Sequence, residues 1–270
     1  MLVLHEFGNS VCCQKVRLVL CEKGLAWESR QVNLFRGEQY GLDCLKLNPQ
    51  GVVPTLVHDG RPVIESTLIC EYLDGIFPEP RLMPAAAYEC ARMRLWSKAV
   101  DETLHEGVTE ISFSAMFRER MKNMSEGERQ ARFSNVGDPK RRDRFVSTYE
   151  LGVESPFVLW AIAGYERAFK SMDDALAEGG QWLVGGAFSL AETSLMPYLA
   201  RLEYLALLDV WIEGRPRVRA WWERAKARAS FKAAIAEPLT QKERDEMETS
   251  GSRIRDRMRE LRAGFLSRVV

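Results

Sequence analysis

The stretch NPQGVVPTLVHDGRPVIESTLICEYL, residues 48–73, decides the fold. Pro49, Gly51 and Pro54 break the chain ahead of a short apolar run, Thr55-Leu56-Val57, and Asp59-Gly60 supplies a hairpin turn into a second run, Pro62-Val63-Ile64. This pattern predicts a two-stranded ribbon. Glu65-Ser66 then opens a segment in which Leu68, Ile69, Tyr72, Leu73 and Ile76 recur at helical spacing, with Ser66 at the predicted N-cap. A helix N-terminus therefore faces the end of the ribbon.

Such a device leaves particular groups free. A proline opening an edge strand gives nothing to a ladder, and a tight cis Val53-Pro54 bend leaves the Val53 N–H and C=O pointing outward, where an extended peptide pairs as an added strand. Ser66 and the first amides of the helix suit a carboxylate, and the Glu65 side chain suits an ammonium group. An α-amino acid end on a short extended peptide satisfies both. Each part also fits a trans proline turn followed by an ordinary capped helix.

Working toward the N-terminus, Leu2-Val3-Leu4 reads as a strand, Gly8-Asn9-Ser10 as a break, and Val16, Leu18, Val19 and Leu20 as a helix ending at Lys23-Gly24. Trp27 to Leu34 alternates as a second strand, and Gly41 to Leu47 is a short helix. With the ribbon and its helix the order is β-α-β-α-β-β-α, that of a thioredoxin-like domain, whose reactive group sits in the loop after the first strand. That loop is Ser10-Val11-Cys12-Cys13. Amides at a helix start lower a nearby thiol pKa or orient a hydroxyl toward a thiolate. If Ser10 stands in for the first cysteine of a C-x-x-C pair, the domain stabilises a bound thiolate instead of supplying one. Ser10 as a plain cap and Cys13 as a packing residue are the competing readings.

Beyond Leu73, Gly75-Ile76-Phe77-Pro78-Glu79-Pro80 and Met83-Pro84 form a proline-rich linker, after which long helical periodicities replace strand signals. Ala91 to Thr103 and Phe113 to Met121 are helix candidates. Ser125 to Arg144 is a charged excursion broken at Gly137-Asp138-Pro139, and Phe157 to Leu176 is one long helix. Ser189-Leu190-Ala191-Glu192 is a capping box opening a helix through Leu205. A helix from Val218 to Ala236 follows Arg215-Pro216, and i to i+4 ion pairs from Gln241 to Arg262 predict a further surface helix. The expected organisation is 1–77, a linker at 78–87, an all-helical domain at 88–240 and a charged helical tail at 241–270.

Charge narrows the function classes. Lysine plus arginine equals aspartate plus glutamate at 38 each, so no net field steers the chain toward nucleic acid. No segment reads as a membrane span, and Met1 to Phe7 lacks the basic and apolar runs of a secretion signal, so a cytoplasmic protein is expected. The 6 cysteines, Cys12, Cys13, Cys21, Cys44, Cys70 and Cys90, have no C-x-x-C spacing, and the 3 histidines, His5, His58 and His105, stand apart, so no metal site is expected.

The V-P, E-S and Tyr72-Leu73 succession resembles the glutathione site of the cytosolic glutathione transferases, and W-L-V-G at 182–185 before the 189–192 box resembles the approach to their helical domain, with glutamate replacing the family's aspartate. The resemblance implies the glutathione transferase fold, a thioredoxin-like domain followed by an all-α domain, and glutathione as co-substrate. It implies that the Val53 backbone, ahead of Pro54, pairs with the cysteinyl unit, and that Glu65 and Ser66 hold the γ-glutamyl end. Tyr40 is a candidate for the glycine end. Ser10 to Arg17 is similar to the S-x-C-x-x-x-V-R start of the zeta-type transferases and their reductive-dehalogenase relatives, which puts Ser10 in the activating serine's place and Cys12 in that of the active-site cysteine. Residues 65–73, 92–98 and the insertion at 124–143 resemble the bacterial β-aryl etherases, whose Asn-Ser pair falls on Cys12-Cys13 here. The implied reaction is attack by the glutathione thiolate on a hydrophobic, aromatic electrophile, against an apolar wall drawn from Trp96, Phe113, Phe117 and Trp160. A Cys12-dependent dehalogenase or thiol-disulfide enzyme, and a non-catalytic glutathione-binding protein, are the alternatives. A homodimer is expected from the family alone.

Overall fold

The computed structural model describes residues 1–269; Val270, the last residue of the predicted tail, lies outside the described residues. The chain divides into two units, each assembled from separated segments. The first holds residues 1–98, 178–197 and 220–240, and the second holds 99–177, 198–219 and 241–270.

The first unit is built on β1 (Leu2–Glu6), α1 (Val11–Glu22), β2 (Glu28–Gln31), α2 (Leu42–Leu47), β3 (Thr55–His58), β4 (Arg61–Val63) and α3 (Ser66–Ile76). The strands form one sheet in the order β2-β1-β3-β4, with β1 parallel to β2 and antiparallel to β3. The order and the mixed sense are those of a thioredoxin-like sheet. Asp59 and Gly60, both at positive φ, close the β3–β4 hairpin, as a two-residue turn between right-twisted strands requires. Leu4, Val16, Val19, Leu20, Leu56, Ile69 and Leu73 are sealed from solvent between the sheet, α1 and α3. Each such side chain contributes about 1.5–3 kcal/mol relative to exposure.

Two buried ion pairs join segments far apart in sequence. Arg17 pairs with Glu6 at 2.5 Å and donates through Nε to the carbonyl of Ala234 at 2.8 Å, tying the 229–236 segment to β1 and α1. Lys23, at the end of α1, pairs with Asp74 at 2.6 Å and donates to the Phe77 and Pro80 carbonyls. Asp74 in turn accepts from the Leu82 and Met83 amides, which pins the proline-rich linker.

The predicted helix over Val218 to Ala236 is instead broken. It runs as α12 (Pro216–Lys226), α13 (Ala229–Phe231) and a wide π-type turn at Lys232–Ala236. Arg228 leaves the helical region with ψ 141°, which lets its guanidinium clasp Glu22 through two hydrogen bonds of 2.7 and 2.6 Å. The box that opens α10 (Leu190–Tyr204) forms as its sequence implies, and Glu192 also takes the Leu183 amide at 2.7 Å.

The second unit is helical. A π turn at Val100–Leu104 leads from α4 (Ala87–Ala99) into α5 (His105–Ser112), and a second, Phe113–Phe117, leads into α6 (Arg118–Lys122). The charged excursion is two helices, α7 (Glu126–Ser134), opened by a Ser125–Glu128 capping box, and α8 (Pro139–Leu151), capped by Asp138. α9 (Pro156–Ala177) packs on α5, and the short α11 (Asp209–Ile212) precedes the tail. That tail is two helices, α14 (Gln241–Ser252) and α15 (Arg255–Val269), and it does more than line the surface. Met247 and Met258 are fully buried, and Gly251 lies against the Leu205 backbone so closely that any side chain would collide.

Candidate active site

The first unit gathers its free polar groups where β3 begins and α3 starts. The Val53-Pro54 bond is cis, and β3 joins its ladder only from Thr55, opposite His5. Among the described residues no backbone hydrogen bond uses the Val53 N–H or C=O. Asn48, buried beneath this turn, donates to the Val52 carbonyl at 3.1 Å and accepts from the Gln50 amide at 3.1 Å, so one side chain fixes the chain on its approach to the bend.

The start of α3 differs from its sequence reading. Glu65, not Ser66, occupies the N-cap position, at φ 68° and ψ 111°, and no side chain caps the helix. Ser66 is the first helical residue and is buried. The register moves because the Glu65 carbonyl accepts the first helical bond, from Ile69 N at 2.8 Å. A non-glycine residue at such a φ costs about 1–3 kcal/mol, a strain that concentrates at ligand clamps. The consequence is an uncapped helix start with an exposed carboxylate beside it.

At the start of α1, Ser10 is extended at φ −86° and ψ 123°, and its Oγ accepts from the Cys13 amide at 3.4 Å. That bond uses a lone pair, and the hydroxyl also faces the Cys13 sulfur, which its hydrogen would leave in order to meet another acceptor. Cys12 is half-buried in the first helical turn. Cys13 is sealed, accepts from the Phe7 amide at 3.5 Å, and burial pushes its thiol up to about 12. It therefore stays protonated and acts as a packing residue.

Tyr40 lays its ring on Gly51, whose positive φ and lack of Cβ allow the approach. Gln39 was not singled out by sequence. Its Oε1 is buried without a partner in the small crevice it shares with His5, Cys44 and Val53. The same crevice desolvates His5, which with the Arg30 charge lowers its imidazole pKa. Phe7 and Phe35, edge to face at 5.6 Å, were also missed. They flank the loop before Ser10 and carry no periodicity that would mark them.

The aromatic candidates are spread across the chain. Trp96 is half-buried on α4 in the first unit, whereas Phe113, Phe117 and Trp160 belong to the second. Phe113 stacks on Phe145 at 5.1 Å and 12° and stands 6.2 Å from Phe117. Trp160 is 66 % exposed and, among the described residues, its one aromatic ring contact is Phe157, so the structure does not gather it with the other two.

Residues 9–76 match the glutathione S-transferase N-terminal domain and residues 125–224 the glutathione S-transferase C-terminal domain. The chain belongs to the glutathione S-transferase family. It is 40 % identical over 129 residues to the protein LigF of Sphingobium sp. strain SYK-6, a match covering 47 % of this chain and 50 % of LigF. With glutathione S-transferase Z1 of Arabidopsis thaliana it shares 46 % over 84 residues, 31 % of this chain and 38 % of the relative. The chain thus spans half or less of the length of these curated relatives. A longer match, 28 % identical over 246 residues, covers 87 % of this chain and 96 % of the tetrachloro-p-hydroquinone reductive dehalogenase of Sphingobium chlorophenolicum. The crystal structure of the beta-etherase LigF superposes with a TM-score of 0.77 at 29 % identity, over 87 % of this chain and 99 % of that one. Among the described residues no helix is long and apolar enough to cross a membrane.

Proposed function

We propose that the protein is a glutathione-dependent transferase in which the glutathione thiolate displaces a leaving group from an aromatic electrophile, with cleavage of a β-aryl ether as the favoured reaction. The observation that carries this reading is the pairing of an unladdered Val53 edge with the uncapped, strained start of α3 at Glu65-Ser66. An extended peptide adds to the Val53 edge, its α-carboxylate is met by Ser66 and the α3 amides, and its ammonium by Glu65. Gln39, whose Oε1 is buried without a partner in the crevice beside Val53, and Tyr40, packed on Gly51, are the candidates for the glycine end.

Ser10 then donates its hydroxyl hydrogen to the sulfur at the start of α1, where helix amides also favour the anion. A C–S bond forms as the ether C–O bond breaks, and the electron pair leaves with the phenolate, which takes its proton from water. The likeness to LigF, in sequence and in structure, supports the ether substrate. The candidates for the aromatic wall are Phe113 and Phe117, which neighbour each other, together with Trp160 in the same unit and Trp96 in the first.

A second reading is favoured by the half-buried Cys12 in the first turn of α1 and by the reductive-dehalogenase relative. There the Cys12 thiolate attacks the sulfur of an aryl–glutathione adduct: the S–S bond of a Cys12–glutathione disulfide forms as the aryl C–S bond breaks, its electron pair leaves on the aryl carbon, which takes a proton from water, and a second glutathione reduces the disulfide. Turnover of a β-aryl ether and of an aryl halide with glutathione, in the parent, Ser10→Ala and Cys12→Ala, separates the two. Loss with Ser10→Ala alone supports thiolate activation. Loss with Cys12→Ala alone overturns it in favour of the cysteine-dependent route.

A further inference from the structure

Between α5 and α8 the second unit buries a carboxyl with only half of its hydrogen bonds made. Thr148 Oγ1 donates to Glu110 Oε2 at 2.5 Å, while Oε1 has no hydrogen-bond partner. Arg144 Nε, also without one, faces Oε1 at 3.5 Å, too far for a good bond. The same guanidinium reaches Glu106 at 3.1 Å. Arg144 is thus shared between an exposed carboxylate and a buried one. Its neighbour in sequence, Phe145, stacks on Phe113, three residues beyond Glu110, with Arg141 over the outer face of the Phe145 ring.

On α5 His105 shares a hydrogen bond with the Tyr198 hydroxyl, and on α9 Glu166 pairs with Arg215 and Arg262. On α9, Tyr165 donates to the Leu104 carbonyl. Arg201 donates to Ser112, and Arg118 to the Tyr149 and Glu150 carbonyls. Asp101 and Glu102 are exposed on the preceding π turn. The Phe113–Phe117 turn has no titratable side chain.

We propose that Glu110 is a positioning residue for the aromatic wall, a buried carboxyl whose ionisation draws Arg144 away from Glu106 and shifts the Phe145–Phe113 stack. The proposal rests on the aromatic-electrophile reading above. Desolvation, the largest influence, raises the Glu110 pKa above its ordinary 4.5, against the opposing Thr148 bond and Arg144 charge. A raised carboxyl stabilises the neutral arrangement below that ordinary value, and the contribution fades as pH climbs through the folded one. Ionised Oε1 then gains a charge-assisted bond that its neutral form lacks.

The test follows the parent, Glu110→Gln and Arg144→Met from about pH 4.5, the ordinary carboxyl value, up to about pH 9. Steady-state kinetics with glutathione and an aromatic electrophile are read beside amide exchange of residues 110–117 and 145–149 without substrate, corrected for intrinsic pH effects. In the parent the KM for the electrophile is expected to change about fivefold, the equivalent of 1 kcal/mol, with the KM for glutathione unmoved. Exchange should change over the same pH range, and both variants should be flat. Parent exchange that is flat with pH, or that changes equally in Glu110→Gln, overturns the proposal whatever the turnover. A pH step in exchange that is absent from Glu110→Gln, without turnover of any electrophile, upholds the switch and removes the aromatic-electrophile reading instead.

Discussion

Two helix starts in the first unit solve the same problem differently. At α1 the first amides are met from within, by Ser10 in ordinary extended geometry. At α3 no side chain meets them, and the preceding residue is held at φ 68°. A cap stabilises a helix by about 1 kcal/mol, so leaving α3 open forgoes that and adds backbone strain. Under the proposed function the difference has a meaning: one start serves the fold and turns a hydroxyl toward the thiolate, while the other receives an anion from outside.

The largest effect should come from filling the open start with nothing. In the double variant Glu65→Ala, Ser66→Ala, glutathione affinity by calorimetry should fall about a hundredfold, since each hydrogen bond to a charged group is worth about 1.5–3 kcal/mol. An unchanged affinity would break the comparison. Ser10→Gly sharpens the other side, because glycine caps within a few tenths of a kcal/mol of serine but has no hydroxyl. Melting should barely move, while turnover drops about tenfold or more, the scale of one donor to a developing anion. Equal loss of stability and turnover would mean that Ser10 is a cap and nothing else.

Strain gives a smaller signal of opposite sign. Glu65→Gly should raise stability by up to about 1 kcal/mol in thermal melts, even as it weakens glutathione binding. A lower melting point would show that Glu65 is not held there at a cost. The smallest effect concerns Cys13. With its thiol near 12, against an ordinary 9.0, its neutral form stabilises the fold fully below 9.0 and the contribution is lost only as pH rises from there toward 12. At neutral pH, iodoacetamide followed by mass mapping should label Cys12 and spare Cys13.

Much of the candidate site's local geometry is legible because its signals are local. Val53-Pro54 and Glu65-Ser66 are marked by their own neighbours, as are the Asp59-Gly60 turn and the Ser189–Glu192 box. Ser10 is marked as a candidate by its place after the first strand. Gln39 and Asn48 are not, since their role lies in what they face rather than in any spacing. The cap at Glu65 was assigned one residue late because serine is the better cap in isolation, and only the chain's exit from β4 puts Glu65 there instead.

The sequence by itself determined the β-α-β-α-β-β-α order and the helical second half. Periods of two and near four, turn residues and caps act over a few residues, so they can be read along a line. Tertiary structure alone decided that residues 220–240 pack with the first unit and 241–269 with the second. It decided that the helix after Pro216 breaks at Arg228 to reach Glu22, that α14 closes on Leu205 through Gly251, and that Glu110 meets Thr148 across two helices. Those contacts join residues 38 to 206 positions apart. Their energy comes from burial and charge pairing that exist only once the segments have met.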